Sequence, residues 1–195
     1  MQDKLLLDNY QRVFAELRVD RVPGRYPEAT NGRAPHKPLL LLAVLDLVAQ
    51  HQIVTNFIEF KANLLDAFDL YWLKVMGSER EANPVMPFYH LKSDRFWHLI
   101  PQPGMDKALQ VSSPIRSLRV LRELVVGAKL DEDLFRLIQY PDKRDTLRTV
   151  LIEHYFAPDT RQVIVQTGTI HQESFEYSNE LQEHSRCARQ SSTSP

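Results

Sequence analysis

From Pro38 to Leu47 the chain reads Pro-Leu-Leu-Leu-Leu-Ala-Val-Leu-Asp-Leu. These are good helix formers, and Pro38 stands where a first helical turn accepts proline. A helix that is apolar on nearly every face belongs in the middle of a domain. The rest of the chain must therefore wrap this segment. Immediately before it come Gly32-Arg33-Ala34-Pro35-His36-Lys37. Pro35 and Pro38 bracket the His-Lys pair and stiffen the backbone around it. The pair is thereby offered at a helix N-terminus, where unpaired N–H groups and partial positive charge suit a phosphate. The same residues also fit a plain loop-to-helix transition with two exposed polar side chains.

A length of 195 residues suffices for one domain with a real core, plus a tail. No apolar run approaches the length needed to span a bilayer. The start, Met1-Gln2-Asp3-Lys4, lacks the basic flank and apolar core of a signal peptide. Cys187 is the only cysteine, so neither an intrachain disulfide nor a Cys-rich zinc site is expected. A cytoplasmic setting with no membrane association fits best. The net charge of −1 speaks against a nucleic-acid binder, but its distribution speaks for one. Arg18, Arg21, Arg25, Arg33 and Lys37 face only Asp20 and Glu28 between positions 18 and 37. Lys92, Arg95, Lys107, Arg116, Arg119 and Arg122 face only Asp94 and Asp106 between 86 and 122. Acid gathers at Asp131-Glu132-Asp133 and at Glu173, Glu176, Glu180 and Glu183. Such asymmetry is what a phosphate-binding face needs, although scattered solvated charges would read the same way.

Apolar spacing predicts an amphipathic helix over residues 3–17, followed by a long polar loop over 20–33 rich in Pro, Gly and arginine. The central helix is expected over 38–51. A short strand is expected over 53–60, and a second apolar helix from Leu64 to near Gly77. Two aromatic runs, Pro87–Leu91 and Phe96–Ile100, flank Lys92-Ser93-Asp94-Arg95 and predict a β-hairpin. Further helices are expected over 114–126, 131–140 and from 141 to Pro158. Val163-Ile164-Val165 suggests an edge strand. The expected class is α+β, mostly helical, with a helix-helix-hairpin core resembling a winged helix-turn-helix. A recognition domain over 1–170 and a polar stretch over 171–195, either a disordered tail or a linker toward a missing nuclease domain, complete the expectation.

Catalytic patterns are sparse. Glu59-Phe60-Lys61 after the strand, with Asp46 upstream, is the minimal acid-acid-lysine set of a divalent-metal nuclease. Asp46 falls inside a predicted helix, which does not suit that set. The seven histidines form no metal-ligating spacing, and no Gly-rich phosphate loop or nucleophile elbow is present. No metal, cofactor or catalytic residue is expected.

Ala34-Pro35-His36-Lys37-Pro38 with its leucine run, Met86-Pro87-Phe88-Tyr89-His90-Leu91, Phe96-Trp97-His98-Leu99, and Leu118-Arg119 together resemble the sulfur-binding domain of McrA-like type IV HNH restriction endonucleases. The resemblance covers about residues 4–165. It implies recognition of double-stranded DNA in which a non-bridging phosphate oxygen is replaced by sulfur. It also implies that the Pro-His-Lys-Pro loop faces the Pro-Phe start of the hairpin across a sulfur pocket. The pocket residues so implied are His36, Lys37, Met86, Pro87 and His90. Lysine and methionine stand at positions 37 and 86, where arginine and an aromatic residue are common. The paired cysteines and His-Asn-His set of the family's nuclease part do not follow residue 165. The chain is therefore expected to be a recognition module without catalysis, either cut from a larger enzyme or acting alone.

Sulfur is larger, softer and more weakly hydrated than oxygen, so an apolar, polarizable wall should favour it. The phosphate charge calls for a nearby cation, for which Lys37 and His36 are the expected sources. Flanking bases and phosphates are assigned to Arg25, Asn31, Arg33, Lys92, Arg95 and Arg116. Two other readings remain open: the Asp46/Glu59/Lys61 nuclease, and a partner-binding module with no DNA role. Homodimerisation is also left open.

Overall fold

The computed structural model describes residues 2–111 and 115–191. Its centre is α2 (His36–Ala49), buried at twelve consecutive positions from Lys37 to Val48. The other elements surround it: α1 (Gln2–Ala15), α3 (Ala62–Met76), α4 (Val85–His90), α5 (Asp106–Val111), α6 (Leu118–Leu124), α7 (Glu132–Ile138), α8 (Pro141–Tyr155) and α9 (Pro158–Ser191). Strands β1 (Trp97–Pro101) and β2 (Val125–Leu130) form a two-stranded antiparallel sheet. Two 3-10 turns, Glu28–Thr30 and Leu91–Asp94, lie in the loops. The mostly helical α+β class is as the sequence indicates.

Helix α2 packs against α3, α4, α8 and α9. Its leucines meet Tyr10 and Phe14 of α1, Phe68 and Tyr71 of α3, and Leu147 and Leu151 of α8 in one continuous core. The loop between α1 and α2 is fastened from below. The Tyr155 hydroxyl accepts the Leu17 amide hydrogen at 2.9 Å and lies 2.9 and 3.0 Å from the Ala15 and Phe14 carbonyls at the end of α1. The Ala157 amide donates to the Ala29 carbonyl, and the Ala34 amide to the Asp20 carbonyl.

Several expectations are corrected. The hairpin over 87–100 does not form. Pro87–Leu91 lies in α4 and the turn after it, because proline is tolerated in the first helical turn and adjacent Phe88 and Tyr89 both face the core. Only Trp97–Pro101 becomes a strand, and its partner is β2, where Trp97 stands opposite Leu130 and Leu99 opposite Ala128. The expected wing over 87–100 is thus replaced by the β1–β2 pair. The 53–60 strand reduces to one bridge between Ile58 and Ala128. The helix expected over 114–126 is shorter, and its last residues turn into β2. Val163-Ile164-Val165 is helical, since α9 buries Ile164 and Thr167 against the body. Residues 171–191, expected to be a disordered tail or a linker, continue that helix; positions 192–195 lie outside the described residues.

Helix α9 is seated by a polar cluster. The Asp46 carboxylate of α2 accepts from Tyr71 OH at 2.7 Å, pairs with Arg148 of α8, and lies 3.3 Å from His171 Nδ1. Burial raises the Asp46 pKa, but the bonds from His171, Arg148 and Tyr71 outweigh it and the carboxyl sits below its usual range.

At Gly127 an added Cβ would lie 2.7 Å from Phe57 Cε2 and 2.8 Å from the Ile58 carbonyl. That carbonyl is bonded to Ala128 and has little room to retreat. Gly127→Ala should therefore destabilise the fold by about 1–3 kcal/mol, read as a lower denaturant midpoint with an unchanged slope.

Candidate functional site

The amino end of α2 opens into a cavity of about 280 Å³. Three segments build its wall. The α1–α2 loop supplies Arg18, Val19, Asp20, Arg25, Tyr26 and Ala34. Helix α2 supplies His36 and Lys37, and α4 supplies Met86, Pro87 and His90, with Arg116 arriving from before α6. The five residues of the implied pocket thus lie together, joined by Arg25 and Arg116. Pro35 lies just before α2, and Met86 and Pro87 occupy the first turn of α4, so two proline-stiffened helix starts converge on one space.

The charges differ from expectation. Lys37 is buried, and its Nζ donates to Asp94 Oδ2 at 2.5 Å and to Ser93 Oγ at 3.0 Å. Burial pulls its pKa down, with the Asp94 carboxylate opposing. Asp94 Oδ1 also accepts the Arg18 amide hydrogen at 2.7 Å, and Ser93 Oγ donates to the His90 carbonyl at 2.9 Å. One carboxylate therefore ties the α1–α2 loop, α2 and the 3-10 turn together behind the cavity. Lys37 is a structural cation rather than a free one.

His36 packs between aromatic rings, edge-on to Tyr26 at 6.3 Å and tilted against Trp72 at 4.7 Å. Burial, aided by the Arg25 charge, lowers its pKa to about 4. It is neutral at pH 7, and the charge of Lys37 is already paired with Asp94. His90 is likewise lowered, by burial first and then by Lys37. Arg25 pairs with Asp20 at 2.9 Å. Arg18 and Arg116 form no ion pair among the described residues and are the uncommitted cations of the wall.

Four expected DNA contacts lie outside this cavity. Asn31 has φ 50° and closes the 3-10 turn through its backbone, which is a turn-forming role. Arg33 buries Nη1 without a hydrogen-bond acceptor among the described residues. Lys92 sits 3.8 Å over the Tyr89 ring. Arg95, with φ 69°, lines a neighbouring cleft of about 210 Å³ that shares Arg18 with the cavity. Arg18, Val19, Asp20, Tyr26 and Ala34 are lining residues not assigned to the site from the sequence, although Arg18 and Asp20 stand in the charged 18–37 run and Ala34 in the proline motif. Tyr26 is an aromatic residue beside arginine in a proline-rich loop. The nuclease set does not assemble: Asp46 is occupied under α9, while Glu59 and Lys61 pair with each other at 2.5 Å beside another cleft.

Fold and cavity define a small α+β module in which cations and an apolar wall meet at the start of a buried helix. Residues 13–172 match the family described as ScoMcrA-like, DNA sulfur-binding domain, and the chain belongs to that family. Among solved structures, it is similar in fold to the sulfur binding domain of SprMcrA complexed with phosphorothioated DNA. The two share 20% identity with a TM-score of 0.57, covering 88% of this chain and 99% of that one. No curated protein matches the chain in sequence. Among the described residues, no helix is long and apolar enough to cross a membrane.

Two measurements test the site's electrostatics. The folded His36 pKa lies below the unfolded value, so the unfolded chain takes up the proton first. Stability should fall as pH drops from about 6.5 towards 4, with His36 contributing roughly 3 kcal/mol over that window. A His36→Phe variant should lose that part of the slope in melting curves. Asp94→Ala, which strands the buried Lys37 ammonium, should cost about 3–5 kcal/mol in chemical denaturation, and Lys37→Met/Asp94→Leu should recover most of it.

Proposed function

We propose that this chain is a non-catalytic reader of phosphorothioate-modified duplex DNA, with the sulfur held in the cavity between the start of α2 and the start of α4. The observation that carries the reading is the meeting of His36 and Lys37 with Met86 and Pro87 in one cavity, in a chain of the DNA sulfur-binding family. The SprMcrA domain, whose structure holds phosphorothioated DNA, supports it through its fold.

Met86, Pro87, Ala34 and Val19 give the cavity apolar surface. A soft, weakly hydrated sulfur loses little water on entering such a space, whereas a phosphate oxygen loses more. Preference for sulfur is then a difference in desolvation cost. Neutral His36 offers a ring face and a single N–H, which suits a polarizable atom better than a full charge would. Arg18 and Arg116 supply the attraction to the backbone, and Arg25 and Arg95 lie on the path of the flanking nucleotides. On this reading the chain is a cytoplasmic protein that binds DNA without cutting it.

Fluorescence anisotropy at one fixed salt concentration should show modified duplex bound at least about tenfold more tightly than plain duplex of the same sequence, the factor that 1.4 kcal/mol supplies. Met86→Ser should lower that ratio. Arg18→Ala and Arg116→Ala should weaken both duplexes and reduce the salt slope by about one each. Equal affinity of the wild type for the two duplexes would sink the reading. Modified plasmid should survive incubation with magnesium or manganese; cleavage abolished by Glu59→Ala would favour the nuclease instead.

A further inference from the structure

The cavity that the proposed reading assigns to an anion contains an anion of its own. Asp20 is the one carboxylate among its lining residues. Its side chain is about one-third exposed, and Oδ2 accepts from Arg25 Nη1 at 2.9 Å and from Tyr26 OH at 3.1 Å. Its Oδ1 accepts the Val22 amide hydrogen at 3.0 Å. That backbone bond, followed by those from Tyr26 and Arg25, holds the carboxyl below its usual range, so it is ionised at neutral pH. Arg25 itself is largely exposed and has no other ion-pair partner among the described residues. The carboxylate therefore neutralises Arg25 and takes up its Nη1 and the Tyr26 hydroxyl, donors that could otherwise meet a phosphate.

We infer that Asp20 sets the affinity threshold of the site: it holds Arg25 and Tyr26 as an internal phosphate substitute and so suppresses binding of ordinary DNA. The inference rests on the proposed sulfur-reading function. Modified and unmodified backbones carry the same charge, so the Asp20 repulsion and the cost of displacing it fall on both. Only the modified site has the additional gain of sulfur against the Met86–Pro87 wall. Lowering all affinities together keeps plain DNA below useful binding while the modified site stays above it. Plain phosphates outnumber modified ones in any genome, so affinity for them, and not the ratio alone, decides how much of the protein is free. The other charged groups of the cavity fit this arrangement. Lys37 is neutralised by Asp94 behind the wall, and His36 carries no charge at pH 7. Arg18 and Arg116 remain for the backbone, and Arg25 is the one exposed cation of the wall held by an acid facing the same space.

The test is the Asp20→Asn variant, which keeps the Oδ1 acceptor for the Val22 amide, replaces the oxygen that faces Arg25 and Tyr26 with an amide donor, and removes the charge. It should bind plain duplex about three- to tenfold more tightly than wild type at low salt. The slope of log K against log salt should steepen by about 0.9, the contribution of one further neutralised phosphate. The double variant Asp20→Asn/Arg25→Gln should lose that gain. Unchanged or weaker binding of plain duplex by Asp20→Asn, at an unchanged melting temperature, would overturn the inference and leave Asp20 as a brace for the loop. A gain that survives in the double variant would also overturn it, since Arg25 release would not be its source. If wild type fails to prefer modified duplex, the sulfur reading itself fails; if wild type prefers it and Asp20→Asn behaves like wild type, only the role of Asp20 fails.

Discussion

A helix buried on every side has no face to give a charge, yet α2 carries two, Lys37 near its start and Asp46 near its end. Each must find a partner inside the protein or the helix cannot be buried. Lys37 finds Asp94 in the turn after α4, and Asp46 finds Arg148 of α8 with Tyr71 and His171. These two meetings decide much of the architecture. The first draws the α1–α2 loop and the α4 segment to the mouth of α2 and leaves a cavity between them. The second draws α3, α8 and α9 onto its far end. Hydrophobic burial supplies the driving force, and the two ion pairs select the arrangement in which it is realised.

The same logic divides the cavity's charges. Lysine looks in sequence like the obvious phosphate ligand, but a cation buried beneath the surface must be neutralised by the protein before any ligand arrives. What remains for an outside anion is what the fold has not already paired, namely Arg18 and Arg116. The histidine between Tyr26 and Trp72 is pushed the same way by its surroundings. The wall is thus softer and less charged than its residue types suggest, which suits a polarizable atom better than a hard oxyanion.

The helical parts were legible because their apolar spacing is local: α1, α2, α3, α7 and α8 lie within a few residues of the positions the pattern gives. The strands were not, because pairing is a relation between distant segments. The run around Trp97 alternates as a strand should, but nothing in it says that its partner starts at Val125 rather than at Pro87. The β-branched Val163-Ile164-Val165 favours a strand locally and becomes helical because α9 can bury Ile164. For the site, the motif residues at 36–37 and 86–90 were readable as a set, since the prolines that mark them also set their geometry. The pairing of Lys37 with Asp94 and of Arg25 with Asp20 was not, because both depend on how the loop folds back.

The seating of α9 on Asp46 has a mechanical side. The helix runs for 34 residues and is fastened to the body through Ile164, Thr167 and His171. At 1.5 Å per residue its whole length is about 50 Å, most of it past the last of those fastenings. Because the fastening reaches α2 itself, the axis on which the chain leaves the body is referenced to the same helix whose other end lines the cavity. The orientation of α9 and the shape of the cavity are thus both set by α2, one at each of its ends.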